Sequence, residues 1–202
     1  MSTLILLRHG KTLWNVEGRF TGQTDIPLSP EGEQQAREAG LKLADFDITL
    51  VHTSLLTRAI ETAQIALRTI SKQHLPLQTF SALNERHYGA LQGKTHAETI
   101  ALHGETQVKL WRRSYDTRPP EGESLADTAA RVHKHFEETI EQELAEGKNI
   151  LVTAHHNSLR ALVMKLEGLT PEEIITLEIP TGVPWVYIYE KEKLKFTKQL
   201  LN

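Results

Sequence analysis

The sequence predicts an α/β fold, a three-layer sandwich whose mostly parallel central sheet is flanked by helices. Three observations predict it. Short aliphatic runs, Leu4–Leu7 and the stretch from Asn149 to Ala154, are bounded by polar turn signals, as in strands buried on both faces. Segments with one apolar stripe at helical spacing alternate with those runs. Polar groups then stand where three strands end: Arg8-His9, His52-Thr53-Ser54 and His155-His156-Asn157. Open parallel sheets gather ligands at such carboxyl ends. The 202 residues carry no repeat, low-complexity segment or linker, and residues 1–202 are expected to form a single domain.

In chain order, the first strand ends near Arg8, and Gly18, Gly22, Asn15, Asp25 and Pro27 mark residues 11–28 as a loop. Ser29-Pro30-Glu31 opens a helix, with Ser29 as N-cap and Pro30 at the first helical position. Ala36, Ala39, Gly40 and Leu43 form its inner face. Asp47–His52 reads as a strand. A helix from Leu56 to Ile70 follows, its core stripe Ile60, Ala63, Leu67 and Ile70. A short strand is expected over Leu75–Phe80, a loop over 81–93 and one polar helix from Ala97 to Arg113. Ser124 caps a long helix with Leu125, Ala129, Val132, Phe136, Ile140 and Leu144 inward, ended by Gly147. After the strand ending at Ala154 come a helix from Leu159 to Leu166, a short helix at Pro171 and a last strand over Val183–Tyr189.

Composition narrows the chemistry. The chain has no cysteine, which removes disulfides, thiol catalysis and thiolate-held metal. A net charge of −3 gives no reason to bind nucleic acid or an acidic membrane. The first apolar run is too short for a signal peptide and no stretch has transmembrane length, so a cytoplasmic protein is expected. An anionic ligand must then be held by local arginines. Arg8, Arg58, Arg112 and Arg113 near loops and element ends supply forks that match phosphate oxygens. His9 and His155, on neighbouring strand ends, are placed for phosphoryl transfer. A neutral imidazole can attack phosphorus, and a second, protonated one can steady the charge in flight. Asn157 and Ser158 begin a helix, where anions are favoured. Glu85 stands among Arg86, His87 and Tyr88 as a proton carrier or as a loop ion pair, the spacing leaving both open. No metal is expected: His133 and His135 do not share a helix face, and no HExxH pattern is present. His74, His103, His133 and His135 are expected at the surface.

Leu7-Arg8-His9-Gly10-Lys11-Thr12, Arg19-Phe20-Thr21-Gly22, Thr53–Ala59, Leu83–Gly89, Trp111–Asp116, Gly122–Leu125, His155–Arg160 and Ile179–Pro184 together resemble the cofactor-dependent phosphoglycerate mutases of the histidine phosphatase superfamily. The match runs in order along nearly the whole chain. Arg-His-Gly is shared across the superfamily, whereas Asn-Glu-Arg-His-Tyr-Gly and Pro-Thr-Gly-Val-Pro are specific to mutases. The resemblance implies interconversion of 3-phosphoglycerate and 2-phosphoglycerate, primed by 2,3-bisphosphoglycerate without metal. It implies His9 as the phosphorylated nucleophile, Glu85 as acid/base and His155 as stabiliser of the moving phosphoryl group. Arg8 and Arg58 would hold that group with Thr12 and Asn15. Thr21 and Gly22 would meet the carboxylate region, and Tyr88, Arg112 and Arg113 the distal anion, with Asn157 beside them. A homodimer is the implied assembly.

The chain departs from that family at three places. His156 replaces the glycine of His-Gly-Asn-Ser, and is expected either to turn away or to narrow the pocket. His96 stands eleven residues after Glu85, where the family has a binding lysine, with Lys94 nearby as a substitute. An insertion between Asp116 and Gly122 and a longer C-terminal tail are missing. The last feature and His156 motivate an alternative: a superfamily phosphatase acting on small phosphoesters, in which water takes the phosphoryl group.

Overall fold

The computed structural model describes residues 1–193 and 195–199. It contains β1 (Ser2–Arg8), α1 (Leu13–Val16), α2 (Pro30–Lys42), β2 (Leu50–Thr53), α3 (Thr57–Thr69) and β3 (Leu77–Thr79). These lead to α4 (His96–His103), α5 (Glu105–Arg113), α6 (Leu125–His135), α7 (Glu141–Ala145) and β4 (Ile150–Ala154). The chain closes with α8 (His156–Glu167), α9 (Pro171–Ile174), β5 (Pro184–Glu190) and β6 (Lys195–Gln199). The sheet has the order β3-β2-β4-β1-β5-β6. The first four strands in that order run parallel, while β5 pairs antiparallel with β1 and β6 antiparallel with β5.

The two central strands are the two aliphatic runs. Leu4 and Leu6 of β1 join Ile150 and Val152 of β4 in one core layer, against α6 and α8. Ile5, Leu7 and Leu151 face the other way, with Ala39 and Leu43 of the α2 segment and Ala63 and Leu67 of α3. Alternate residues thus fill both layers of the sandwich. Among the described residues no helix is long and apolar enough to cross a membrane.

Four local expectations change. The polar helix over 97–113 is two helices, α4 and α5, broken at Gly104 with φ 80° and ψ 151°, a conformation a side chain would resist. The long helix after Ser124 carries a π-helical turn over Phe136–Ile140. Its inward residues Val132, Phe136, Ile140 and Leu144 recur every four positions and are all buried. At 3.6 residues per turn such a spacing drifts around the helix, and the wider π turn absorbs the drift. Residues 11–28 hold the short helix α1, capped by Thr12. Beyond the last strand expected, β6 extends the sheet; its lysine-rich composition is that of a guarded edge.

Gly10 fixes the loop after β1. A Cβ there would lie 2.2 Å from the Gly32 carbonyl oxygen at the start of α2. Gly10→Ala is therefore expected to destabilise the chain by about 1–3 kcal/mol, the usual cost of overpacking. Thermal unfolding checks this, since a midpoint equal to the wild type would contradict the close approach.

Candidate active site

The register of the parallel pair β1–β4 builds the centre of the site. Arg8 pairs with Ala154, so the next residues, His9 and His155, emerge side by side from the strand ends. Their rings lie 5.0 Å apart at 58°, and the His9 amide donates to Ala154 O at 3.0 Å. His9 is 3% exposed, and its Nδ1 lies 2.7 Å from Gly10 O. A carbonyl only accepts, so Nδ1 carries the proton and Nε2 keeps its lone pair. Burial, then the charges of Arg58 and Arg8, push His9 well below the usual histidine range, which keeps it neutral at pH 7.

His155 is fully buried behind it, with Nε2 2.7 Å from Ser54 Oγ, whose oxygen also accepts from the Leu56 amide at 3.1 Å. Burial and then Arg58 push His155 well below its usual range as well. The protonated second histidine expected from the sequence is thus neutral in the free protein. An arriving anion would supply the counter-charge that burial and the arginines deny it.

A cavity of about 210 Å³ opens over this pair. Arg8, His9, Asn15, Thr21, Gly22, Arg58, Glu85, Tyr88, His96, Arg112, Arg113, His156 and Asn157 all line it. Arg58 is 1% exposed; its Nη1 and Nη2 donate to Thr24 O and Gly22 O at 2.9 and 2.7 Å, which aims the guanidinium. Burial pulls Arg58 down to about 10, so it stays charged at neutral pH. Arg8 Nε, Arg58 Nε and Thr21 Oγ1 are buried without partners. Orphaned donors of this kind are costly, and a phosphate with several acceptor oxygens satisfies them together.

Glu85 reaches the cavity from the loop between β3 and α4. Its Oε1 accepts from the Arg86 and Asn157 amides at 2.8 and 3.0 Å, at the start of α8. Arg131 of α6 holds the loop from behind, donating to Ala82 O and Glu85 O at 2.7 and 3.1 Å while pairing with Glu123 at 3.0 Å. Asn157 Nδ2 donates to the Tyr88 hydroxyl at 3.3 Å, and Arg86 lies 4.5 Å over the Tyr88 ring.

Thr12 and Lys94 do not line the cavity. The Thr12 side chain is fully buried as the cap of α1, accepting from the Asn15 amide at 3.2 Å. Lys94 lies in the backbone pairing of residues 18–20 with 93–95, its carbonyl accepting from the Phe20 amide at 3.0 Å. Arg19, Phe20, Arg160 and Glu178 also line the cavity and had no role assigned from the sequence, although the first three lie within the matching motifs. Arg160 had a local signal, since it lies one helical turn after His156. Glu178 had none; only the fold brings it in. Of the histidines expected at the surface, His74 and His103 are exposed. His135 is instead buried against Phe80, ring centroids 4.3 Å apart, and His133 Nε2 lies 2.7 Å from Ala161 O. His133 is half-buried and His135 is buried, on different faces of α6. Among the described residues no group of His, Asp and Glu is arranged to hold a metal.

Residues 4–201 match the profile of the histidine phosphatase superfamily, branch 1. The chain belongs to this superfamily. Within it, the chain is 48% identical to a 2,3-bisphosphoglycerate-dependent phosphoglycerate mutase of Nitratidesulfovibrio vulgaris (strain Miyazaki F), over 93% of this chain and 86% of that protein. It is 45% identical to the enzyme of the same name from Chlamydia muridarum, over 100% of this chain and 99% of that one. Among solved structures, a mycobacterial glucosyl-3-phosphoglycerate phosphatase superposes with a TM-score of 0.85 at 29% identity, covering 100% of this chain and 99% of the other.

In this histidine phosphatase superfamily member His156 is among the residues that line the cavity. It is the first residue of α8, with its Nε2 3.2 Å from a Glu178 carboxylate oxygen. Burial, then Arg8 and Arg160, push it far below the usual histidine range, so it is neutral. His96 packs edge-on to Phe20 at 4.7 Å and is lowered to about 4, first by burial and then by Arg112 and Arg113. It brings no positive charge to the lysine's place. The cations at that end are the arginines.

These buried histidines set the response to acid. His52, fully buried on β2, is lowered from 6.5 to about 4, first by burial. A lowered histidine leaves the unfolded chain to bind the proton first. Its stabilisation is thus complete above the unfolded value and is lost as pH falls from about 6.5 toward 4. His52 alone accounts for about 2 kcal/mol at pH 5. His9, His155 and His156 act with the same sign. Glu143, 3.0 Å from His52 and pushed up by its own burial, opposes them in part. The thermal midpoint is expected to fall between pH 7.5 and 5 by at least roughly 4–8 °C, the part that His52 alone supplies. A flat profile over that interval would contradict the neutral, buried state of these rings.

Proposed function

We propose that this chain is a 2,3-bisphosphoglycerate-dependent phosphoglycerate mutase, interconverting 3-phosphoglycerate and 2-phosphoglycerate in glycolysis and gluconeogenesis through a phosphohistidine at His9. The observation that carries the choice is identity: the mutases of Nitratidesulfovibrio vulgaris and Chlamydia muridarum stand at 48% and 45% over most of the chain, whereas the phosphatase that superposes on it stands at 29%. The superfamily phosphatase acting on small phosphoesters is the second reading, favoured by that same superposition.

When bound, 2,3-bisphosphoglycerate supplies the phosphoryl group that primes His9. Arg8, Arg58 and Thr21, with their unpartnered buried donors, suit such an anion. In this proposal the His9 Nε2 lone pair forms the N–P bond as the ester P–O bond breaks. Glu85, protonated from solvent before the primer's ester bond breaks, gives that proton to the departing glycerate oxygen and is left as a carboxylate. In the return step Glu85 takes the proton of the second hydroxyl, that oxygen attacks phosphorus, and the N–P bond breaks toward His9. Arg8 and Arg58 hold peripheral oxygens in flight, and His155, whose buried Nδ1 has no partner, supports the transferring group from behind His9. Asn15 joins Arg8 and Arg58 on the transferring phosphate, Thr21 and Gly22 bind the carboxylate region, and Tyr88, His96, Arg112, Arg113, His156 and Asn157 stand at the distal end. A cytoplasmic location and a homodimer belong to the same proposal. Sedimentation at twice the chain mass supports the dimer, and sedimentation at the single-chain mass contradicts it.

The test is primer dependence. Conversion of 3-phosphoglycerate is expected to be slow in the purified chain and strongly stimulated by catalytic 2,3-bisphosphoglycerate. Conversion that is insensitive to the primer would contradict the proposal.

A further inference from the structure

Glu178 stands in the wall of a cavity whose other charged groups are mostly arginines. Its carboxylate pairs with Arg113, lies 3.7 Å from Arg160 Nη2 and 3.2 Å from His156 Nε2. Its backbone is pinned on both sides. Arg160 Nε donates to Leu177 O at 2.7 Å, and Arg8 Nη1 donates to Ile179 O at 2.6 Å. The side chain itself is 61% exposed, so its ion pairs compete with water and are weak. A carboxylate on a fixed backbone, held loosely at its tip, thus covers the cations that an anionic ligand group would use.

We propose that Glu178 is a specificity-determining residue: an internal carboxylate that occupies the Arg113–Arg160–His156 end of the anion cavity and yields it to the ligand. A ligand with an anionic group at that end gains Arg113 but must displace a like charge. A ligand that is neutral there leaves Glu178 in place and meets no such opposition. Glu178 therefore lowers the affinity of the cavity for phosphoesters that carry a second anion. The choice of 3-phosphoglycerate as that ligand rests on the mutase reading.

Glu178→Gln keeps the size and removes the charge. In the unprimed protein its Kd for 3-phosphoglycerate, measured by calorimetry, is expected to fall about fivefold, the effect of removing one like charge at the edge of contact. Inorganic phosphate, which has no second anionic group, is expected to gain less. KM should fall with the Kd while kcat changes little, a split that a merely structural role would not produce. In an Arg113→Ala background most of the gain should vanish, because the two side chains act on one position. A Kd for both probes that is unchanged or raised by Glu178→Gln, or a full gain that persists without Arg113, would overturn the proposal. Turnover is read separately. Absence of isomerisation in the wild-type chain refutes the mutase reading, while the binding comparison with inorganic phosphate still decides the role of Glu178.

Discussion

Replacing His9 with alanine is expected to remove the acid-labile phosphoenzyme and to lower isomerisation by at least about 10⁴-fold, the scale on which deleting a nucleophile acts. The expectation rests on three properties of this imidazole. It is neutral, because burial and two guanidiniums oppose its protonation. Its Nδ1 is committed to Gly10 O, which fixes the tautomer and leaves the lone pair on Nε2. It lines a cavity whose guanidinium nitrogens include buried ones with no partner. His155 meets the first condition but not the third: it does not line the cavity and lies behind His9. Labelling that survives His9→Ala would make another residue the acceptor. Quenched-flow labelling with phosphoryl donor, followed by acid lability and peptide mapping, distinguishes the two.

The second large effect is expected at Glu85. Glu85→Gln preserves an oxygen to accept from the Arg86 and Asn157 amides but removes the proton carrier. A fall in kcat of about 10²–10⁴-fold is expected, the usual contribution of a placed acid/base, with KM changed far less. The loop is held independently by Arg131, so the substitution should leave the fold intact. Steady-state kinetics beside thermal unfolding separate these outcomes. A variant with normal kcat would show that another group moves the proton.

Much of this site was legible in the chain itself, for a physical reason. β1 and β4 are buried on both faces, so their aliphatic runs stand out, and so do the polar residues that interrupt them at their ends. That is enough to bring Arg8, His9 and His155 together; Arg58, Arg112, Arg113 and Glu85 stood out by residue type near loops and element ends, and the resemblance added their roles. What the chain hid was tertiary. Thr12 sits inside a matching motif, yet its side chain caps α1. Glu178 lies in an unremarkable loop and enters the cavity because Arg160 and Arg8 bind the carbonyls on either side of it. His135 looked like surface in an otherwise polar stretch and is packed against Phe80. The division of 96–113 into two helices was marked by Gly104, a signal outweighed by the helical spacing around it.

The phosphoryl group proposed on His9 passes either to a glycerate oxygen or to water, and that choice separates the mutase from the phosphatase. The most direct measurement follows 2-phosphoglycerate formed and inorganic phosphate released in one reaction, starting from 3-phosphoglycerate and a catalytic amount of 2,3-bisphosphoglycerate. Many molecules of 2-phosphoglycerate per phosphate released is the predicted result. Phosphate released at a rate equal to substrate loss, with no 2-phosphoglycerate, would contradict the mutase and make the chain a phosphatase.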